Sequence, residues 1–408
     1  MKNISLKEFA LPLIKSIDSF NFLLKSHHRR VAIASYYLGK ELKLDKYQMI
    51  DLILAASLHD IGALSIQERD MLIKEDVENP EPHCIMGYNM LSSSSIFANI
   101  AQIIKHHHIK YSKVNNIDDE ILFQSHIIHL ADRVDILISH DNFILNQKDE
   151  VINKIMSNKS IVFHPEVCEA FLQVSKADIF WMDINNMTMD ELFNSIDFSI
   201  YHNLTMKQMV EFSLVFSKVI DFRSSFTASH SYTVGQLAYN IGKFLNFNND
   251  KCTKLLIAGY FHDIGKIGIN NFYIEKDGPL SEEEFNHIKF HPYFTKQILN
   301  ELSVSPWFKE IINWAVYHHE KVDGSGYPCG LKGNEVEKET MIIAYSDIIS
   351  ALTEDRPYRK SIPLENALDI IKIQVVPKLD EDIFNVILAH KNEIEAIIRK
   401  CHDFNKRN

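Results

Sequence analysis

Histidine and aspartate residues able to hold metal ions occur in one order at two places along this 408-residue chain. The later set is His230, His262, Asp263, His291, His318, His319 and Asp347. The earlier set is His27, His59, Asp60, His83, His106, His107 and Asp132. His27 and His230 lie 203 residues apart, as do His59 and His262. The offset then widens to 208 at His83 and His291, 212 at the two His-His pairs, and 215 at Asp132 and Asp347. Loop insertions produce such stepwise widening, so the order predicts an internal duplication of about 200 residues. One histidine on an apolar helix face is usually a hydrogen-bonded core residue. Five imidazoles and two carboxylates buried together are different, because each such group costs several kcal/mol if left unpaired. A shared metal centre removes that cost. Imidazole with carboxylate suits Fe, Mn, Zn or Ni better than Ca, which takes all-oxygen shells. The adjacent His262 and Asp263 serve two neighbouring ions if the carboxylate bridges them. Two divalent ions against two Asp leave a charge of roughly +2, which draws phosphate oxygens even into an acidic protein.

Helices must position these residues. From His230, the residues Val234, Leu237, Ala238, Ile241 and Leu245 make one apolar stripe, and Val31, Ala34, Leu38 and Leu42 repeat it from His27. Ile311, Ala315, His318 and His319 fall at i, i+4, i+7 and i+8, while Ile343, Asp347 and Ala351 are spaced by four. The run 255–261 is apolar nearly all round, which predicts a buried helix with Gly265 as its C-terminal stop. No segment alternates convincingly as a strand. The expected fold class is all-α, with two tandem helical domains related by duplication. Thr188-x-x-Glu191 and Thr205-x-x-Gln208 match capping boxes, so the expected domains are 1–204 and 205–408.

Composition narrows the function. A net charge of −11 argues against a surface that tracks polymeric DNA or RNA. The five cysteines, at 84, 168, 252, 329 and 401, form no C-x-x-C pair and read as reduced thiols of a cytoplasmic protein. No secretory signal pattern and no apolar run of about 18 residues is present, so membrane spanning is not expected. Four of the 13 glycines lie at 324, 326, 330 and 333, directly after the His318-His319 pair. Spacing alone leaves open whether this stretch is a turn or the rim of a metal cleft.

The second half resembles the HD-GYP family of the HD phosphohydrolases. The resemblance rests on Phe226-Thr-Ala-Ser-His230-Ser, His262-Asp-Ile-Gly-Lys266-Ile-Gly, Lys289-Phe-His291-Pro292, His318-His319-Glu320, Asp323-Gly-Ser-Gly-Tyr327-Pro328, Ser346-Asp347 and Arg356-Pro-Tyr-Arg359, spanning roughly residues 220–380. It implies a metal-dependent phosphodiesterase acting on a cyclic dinucleotide such as cyclic di-GMP. It also implies that His230, His262, Asp263 and Asp347 hold one ion, and that Asp263, His291 and His318 hold a second with His319 beside them. Fe or Mn is the expected pair, Zn or Ni the alternative. By the same resemblance Asp263 and Lys266 are catalytic, and Lys266, Tyr327, Arg356 and Arg359 bind substrate. Some members carry a Glu four residues before the first His, where it helps bind a third metal; Phe226 stands there, so two ions and a linear dinucleotide product are expected.

The first half resembles a divergent HD domain. It keeps a ligand at every position, but Ala63 replaces the Lys, and His108-Ile-Lys-Tyr111 stands where the Gly-Tyr-Pro loop would be. A regulatory or structural role is therefore expected for it, with a second metal site at His27, His59, Asp60, His83, His106, His107 and Asp132. A homodimer is compatible with these features. Two rival functions remain at this stage: a receptor that binds the dinucleotide without turnover, and a di-iron enzyme of other chemistry.

Overall fold

Local capping chemistry sets where many helices begin. Asp45 with Gln48, Thr188 with Glu191 and Ser281 with Glu284 form reciprocal side chain–backbone pairs, and Thr205 with Gln208 does the same. Each pair satisfies amide groups that a first helical turn leaves without partners. The structure is a computed structural model that describes residues 4–19, 26–63, 81–114, 119–201, 203–221, 230–355 and 360–405. Phe226, Arg356 and Arg359 lie outside the described residues.

Two compact units divide between Leu204 and Thr205. The first contains α1 (Leu6–Ser19), α2 (His27–Glu41), α3 (Lys46–Leu58), α4 (Glu81–Leu91), α5 (Ala98–His106), α6 (Glu120–Leu137), α7 (Lys148–Ser157), α8 (Pro165–Val174), α9 (Asp178–Asn186) and α10 (Met189–Asn194). The second contains α11 (Met206–Asp221), α12 (His230–Phe244), α13 (Asn249–Phe261), α14 (Asn271–Ile274), α15 (Glu282–Ile288), α16 (His291–Leu299), α17 (Pro306–Val316), α18 (Lys338–Thr353), α19 (Leu364–Gln374), α20 (Glu381–Ala389) and α21 (Lys391–Asn405). No strand occurs among the described residues, which hold only isolated bridges at Lys159/Phe163 and Asp323/Lys332. The fold is all-α. No helix among the described residues is long and apolar enough to cross a membrane.

Each unit is built around one helix buried on every side. In the first it is α3, buried from 52 to 58; in the second it is α13, buried from 254 to 261. Helix α2 packs on α3 and α6, and α12 packs on α13 and α18. The apolar stripes bind these layers together: Val31, Ala34, Leu38, Val234, Leu237, Ala238 and Ile241 are all essentially inaccessible. Leu42 and Leu245, one residue past their helices, are only half-buried.

Gly265 is not the helix stop that its position suggested. Helix α13 ends at Phe261, and Gly265 lies in a 3-10 turn, Ile264–Gly268, packed on α16. A Cβ there would fall 1.9 Å from the His291 carbonyl oxygen and 2.4 Å from the Thr295 nitrogen. Gly62 meets the same constraint in the first unit, 2.1 Å from the His83 carbonyl oxygen. Glycine is needed at both places because two backbones meet there, bringing the His-Asp pair against the next ligand helix.

Candidate metal centres

In the second unit the ligand-type residues sit where helices start or end. His230 opens α12, His262-Asp263 follow α13, His291 opens α16, His318-His319 follow α17, and Asp347 lies within α18. These placements bring all seven together. His230 Nε2 is 3.1 Å from Asp347 Oδ1 and 3.9 Å from Asp263 Oδ2. His262 Nε2 lies 3.2 Å from Asp263 Oδ2, and His291 Nε2 lies 3.4 Å from the other Asp263 oxygen. Three overlapping groups have ligand atoms within 4.8 Å of one another: His230/His262/Asp347, His262/Asp263/His318 and His291/His318/His319. The two Asp263 oxygens therefore face different histidines.

The outer ring nitrogens fix the imidazoles. His262 Nδ1 pairs with the Gly259 carbonyl at 2.8 Å, His291 Nδ1 with Ile288 at 2.7 Å, and His318 Nδ1 with Ala315 at 2.6 Å. A carbonyl only accepts, so each Nδ1 carries the proton and each Nε2 presents a lone pair inward. Those three Nε2 atoms are buried and have no hydrogen-bond partner. His230 Nδ1 is held by Ser350 Oγ at 3.0 Å and lies 3.4 Å from Glu354, which also accepts from Ser350. Protonation states agree with ligation. Burial, with the neighbouring imidazole charges, pushes His318 down to about 3, and burial pushes His291 down to about 4. Burial would raise Asp263 and Asp347, yet His262, Lys266 and His291 hold the first, and His230, His262 and His319 the second, well below the usual carboxylate range. Neutral imidazoles with ionised carboxylates are the forms that bind a cation. Orphaned inward lone pairs on this donor set fit divalent transition ions.

Two further features border the centre. Lys266 Nζ is 2.5 Å from Asp263 Oδ2 and is about a quarter exposed, so it reaches from the centre toward solvent. The Tyr327 ring lies 4.6 Å from that of His319. Burial, then the Asp347 and Asp263 charges, push its phenol upward, which keeps it a hydroxyl donor. Glu320, buried, holds the loop that carries Tyr327: its carboxylate accepts from the backbone N–H groups of Cys329, Gly330 and Leu331 at 2.6, 3.2 and 2.9 Å. Gly324 and Gly330 of this loop have φ of +78° and +68°, values that favour glycine. The sequence motif contained Glu320 without indicating this work.

The first unit assembles a similar constellation with one correction. His27, His59 and Asp132 form one group, and Asp60, His83, His107 and His108 form another. His106 does not join them. It is the last residue of α5 and half-buried, whereas His107 and His108 follow the helix and turn inward. His107 Nδ1 pairs with the Ile104 carbonyl at 2.6 Å, matching the His318–Ala315 contact, so the register is one residue later than the His106-His107 pairing. Asp60 faces His83 and His107 at 3.4 and 3.6 Å, and His59 at 3.5 Å. Three outer carboxyl contacts border this cluster. Asp135 binds His27 Nδ1 at 2.7 Å and Arg30 at 2.5 Å, and Arg133 binds Asp132 at 2.6 Å.

Helices that converge histidines and aspartates into buried clusters able to hold metal place the chain in a class of helical hydrolases. The chain belongs to the HD-domain family, whose model matches residues 13–148 and again 214–383. It is 26% identical over 96% of its length to 3′3′-cGAMP-specific phosphodiesterase 1 of Vibrio cholerae, 93% of which is covered. It is 30% identical to a cyclic di-GMP phosphodiesterase of Thermotoga maritima, over 57% of this chain and 60% of that one. A crystal structure of a cyclic GMP-AMP specific phosphodiesterase from V. cholerae superposes with a TM-score of 0.62 at 22% identity, covering 96% and 98% of the two chains, a likeness of fold.

Proposed function

We propose that the second unit is a metal-dependent phosphodiesterase that opens a phosphodiester of a cyclic dinucleotide, cyclic di-GMP or a related molecule. The observation that carries this is the inward-facing set of unpartnered His Nε2 atoms around Asp263, with Lys266 at its solvent side. His230, His262, Asp263 and Asp347 would hold one ion, and Asp263, His291, His318 and His319 a second; Fe or Mn suits them best, with Zn or Ni as alternatives. Bound ions of this kind lower the pKa of water and neutralise charge on phosphoryl oxygens. The chain's own groups do the rest. Asp263 stays ionised and pairs with Lys266 Nζ, which places the amine to donate to a phosphate oxygen. The Tyr327 hydroxyl, on a ring beside His319, is proposed to donate to substrate, and Arg356 and Arg359 are proposed to contact substrate as well.

The first unit has the ligands but Ala63 in place of Lys266. We propose that it holds metal without cleaving cyclic dinucleotides, and that it stabilises or regulates the second unit. Metal analysis of anaerobically purified protein, paired with cleavage assays on a panel of cyclic dinucleotides, tests both statements. Metal at both units with cleavage of at least one dinucleotide is expected. Loaded protein that cleaves none of them overturns the enzyme assignment.

A further inference from the structure

We propose that Phe285, in the middle of α15, and Lys289, just past its end, form a guanine-reading subsite beside the phosphodiester centre; the ligand class rests on the phosphodiesterase assignment above. A lone exposed phenylalanine is ordinary. Phe285 is different because of what surrounds it. Its ring stands edge-on to that of Tyr327, with centroids 6.1 Å apart and planes at 88°. Tyr327 in turn lies over His319. Aromatic rings therefore lead stepwise from the metal-type cluster to the partly exposed ring of Phe285 at the surface.

The helix does not need Phe285 for its own packing. None of the α15 residues is fully buried. The helix is anchored by other contacts as well: the Lys276 amine lies 2.6 Å from Glu284, and the His287 ring stacks on Tyr273 with centroids 4.5 Å apart. Phe285 remains 38% exposed. Lys289 Nζ lies 5.0 Å from the Phe285 centroid and 6.0 Å from that of Tyr327, so a cation sits where these two rings meet. An open aromatic face stacks any nucleobase. A lysine beside it discriminates among bases, because guanine offers N7 and O6 as acceptors, whereas adenine puts an amino donor in place of O6. The pair therefore selects a cyclic dinucleotide that contains at least one guanine.

The test measures kcat/KM and equilibrium binding for cyclic di-GMP, 3′3′-cGAMP and cyclic di-AMP on the wild-type chain and on Phe285→Leu, Phe285→Tyr and Lys289→Met. Leucine keeps apolar cover and removes the ring; tyrosine restores the ring. Phe285→Leu is expected to lower kcat/KM for the guanine-containing substrates about tenfold, chiefly through KM, with recovery in Phe285→Tyr. Lys289→Met is expected to narrow the preference for guanine-containing substrates over cyclic di-AMP. Wild-type kinetics in Phe285→Leu, equal damage in Phe285→Tyr, or a wild-type preference for cyclic di-AMP would overturn the subsite. If no dinucleotide is cleaved but binding follows the expected pattern, the phosphodiesterase assignment fails and the subsite stands. If none binds, both fail.

Discussion

Replacing Glu320 by Gln tests whether the loop that carries Tyr327 is positioned by one buried carboxylate. Glu320 Oε1 accepts from the Cys329 and Gly330 amides, and Oε2 accepts from Leu331. Glutamine keeps the shape but has one acceptor oxygen. With that oxygen at the Oε1 position, two bonds to a charged acceptor, each worth about 1.5–3 kcal/mol, become neutral bonds worth about 0.5–1.5 kcal/mol. At Oε2 an NH2 group then faces the Leu331 N–H, donor against donor, and the loop must shift to relieve it. With the third bond forfeited, the combined loss is about 3.5–6 kcal/mol. For a unit of this size, that lowers Tm by roughly 7–24 °C. A displaced loop also moves Tyr327 off His319, so kcat/KM on a cyclic dinucleotide should fall at least about tenfold, as one lost catalytic hydrogen bond would. Differential scanning calorimetry and steady-state kinetics on the metal-loaded protein read both quantities. A melting temperature within a degree of wild type, with wild-type kcat/KM, would refute the clamp. A lower melting temperature with normal kinetics would leave Glu320 structural and remove Tyr327 from the catalytic picture.

Asp263→Asn should abolish hydrolysis and lower bound metal, since the amide removes the negative charge facing His262, His291 and Lys266; full activity with an unchanged metal count would end the two-ion proposal. Replacing His59 and Asp60 together by Ala should remove metal from the first unit; altered cleavage kinetics at unchanged Tm would indicate regulation, and abolished cleavage with the second unit's metal and Tm intact would show that the chemistry had been assigned to the wrong half. Burial alone would raise the Asp135 carboxyl, but the His27 hydrogen bond and the His27 and Arg30 charges bring it from 3.8 down to about 2. A lowered carboxyl stabilises the fold fully above about pH 4 and loses that contribution as pH falls through 2, so wild type should exceed Asp135→Asn by about 2 kcal/mol at pH 7 and by progressively less in acid; a gap that widens toward pH 2 would contradict this. Cys84, Cys168, Cys252 and Cys401 are buried and Cys329 is exposed. Burial pushes the Cys168 and Cys401 thiols up to about 11 and 12, while burial would raise Cys84 but His107 and His83 bring it down to about 6, so inaccessibility alone shields it. A thiol reagent at pH 8 should therefore label one site rapidly, and Cys329→Ser should remove it; a second rapid site in the native protein would count against the packing.

The helices and the order of ligand residues were legible in the sequence because both obey local rules. A buried stripe repeats every three or four residues, and His262-Asp263 or His318-His319 are adjacent in the chain. The register failed where periodicity ends. In the run His106-His107-His108, only the end of α5 decides which rings turn inward, and an apolar stripe says nothing about the residues just past it. Contacts at long range were invisible for a different reason. Glu320 reaches amides nine to eleven residues later, Asp135 meets His27 across 108 residues, and Gly265 is small for the sake of a carbonyl 26 residues away. None of these has a spacing signature.

The surroundings, more than the ligands, separate the two units. Asp132 and Asp347 hold the same place in their clusters, beside the first histidine. Yet Arg133 occupies the outer oxygen of Asp132, whose side chain is 2% exposed, while that of Asp347 is 18% exposed. Asp60 likewise lacks the lysine that Asp263 holds, because Ala63 has no amine to offer. A cation centre cleaves a diester only if an oxygen of the substrate can reach it and a donor outside the ligand set can meet the charge that develops. The second unit has an open aspartate, Lys266 and the Tyr327 loop; the first has a ligand set capped by an arginine. Ion binding alone would stabilise the first unit's fold.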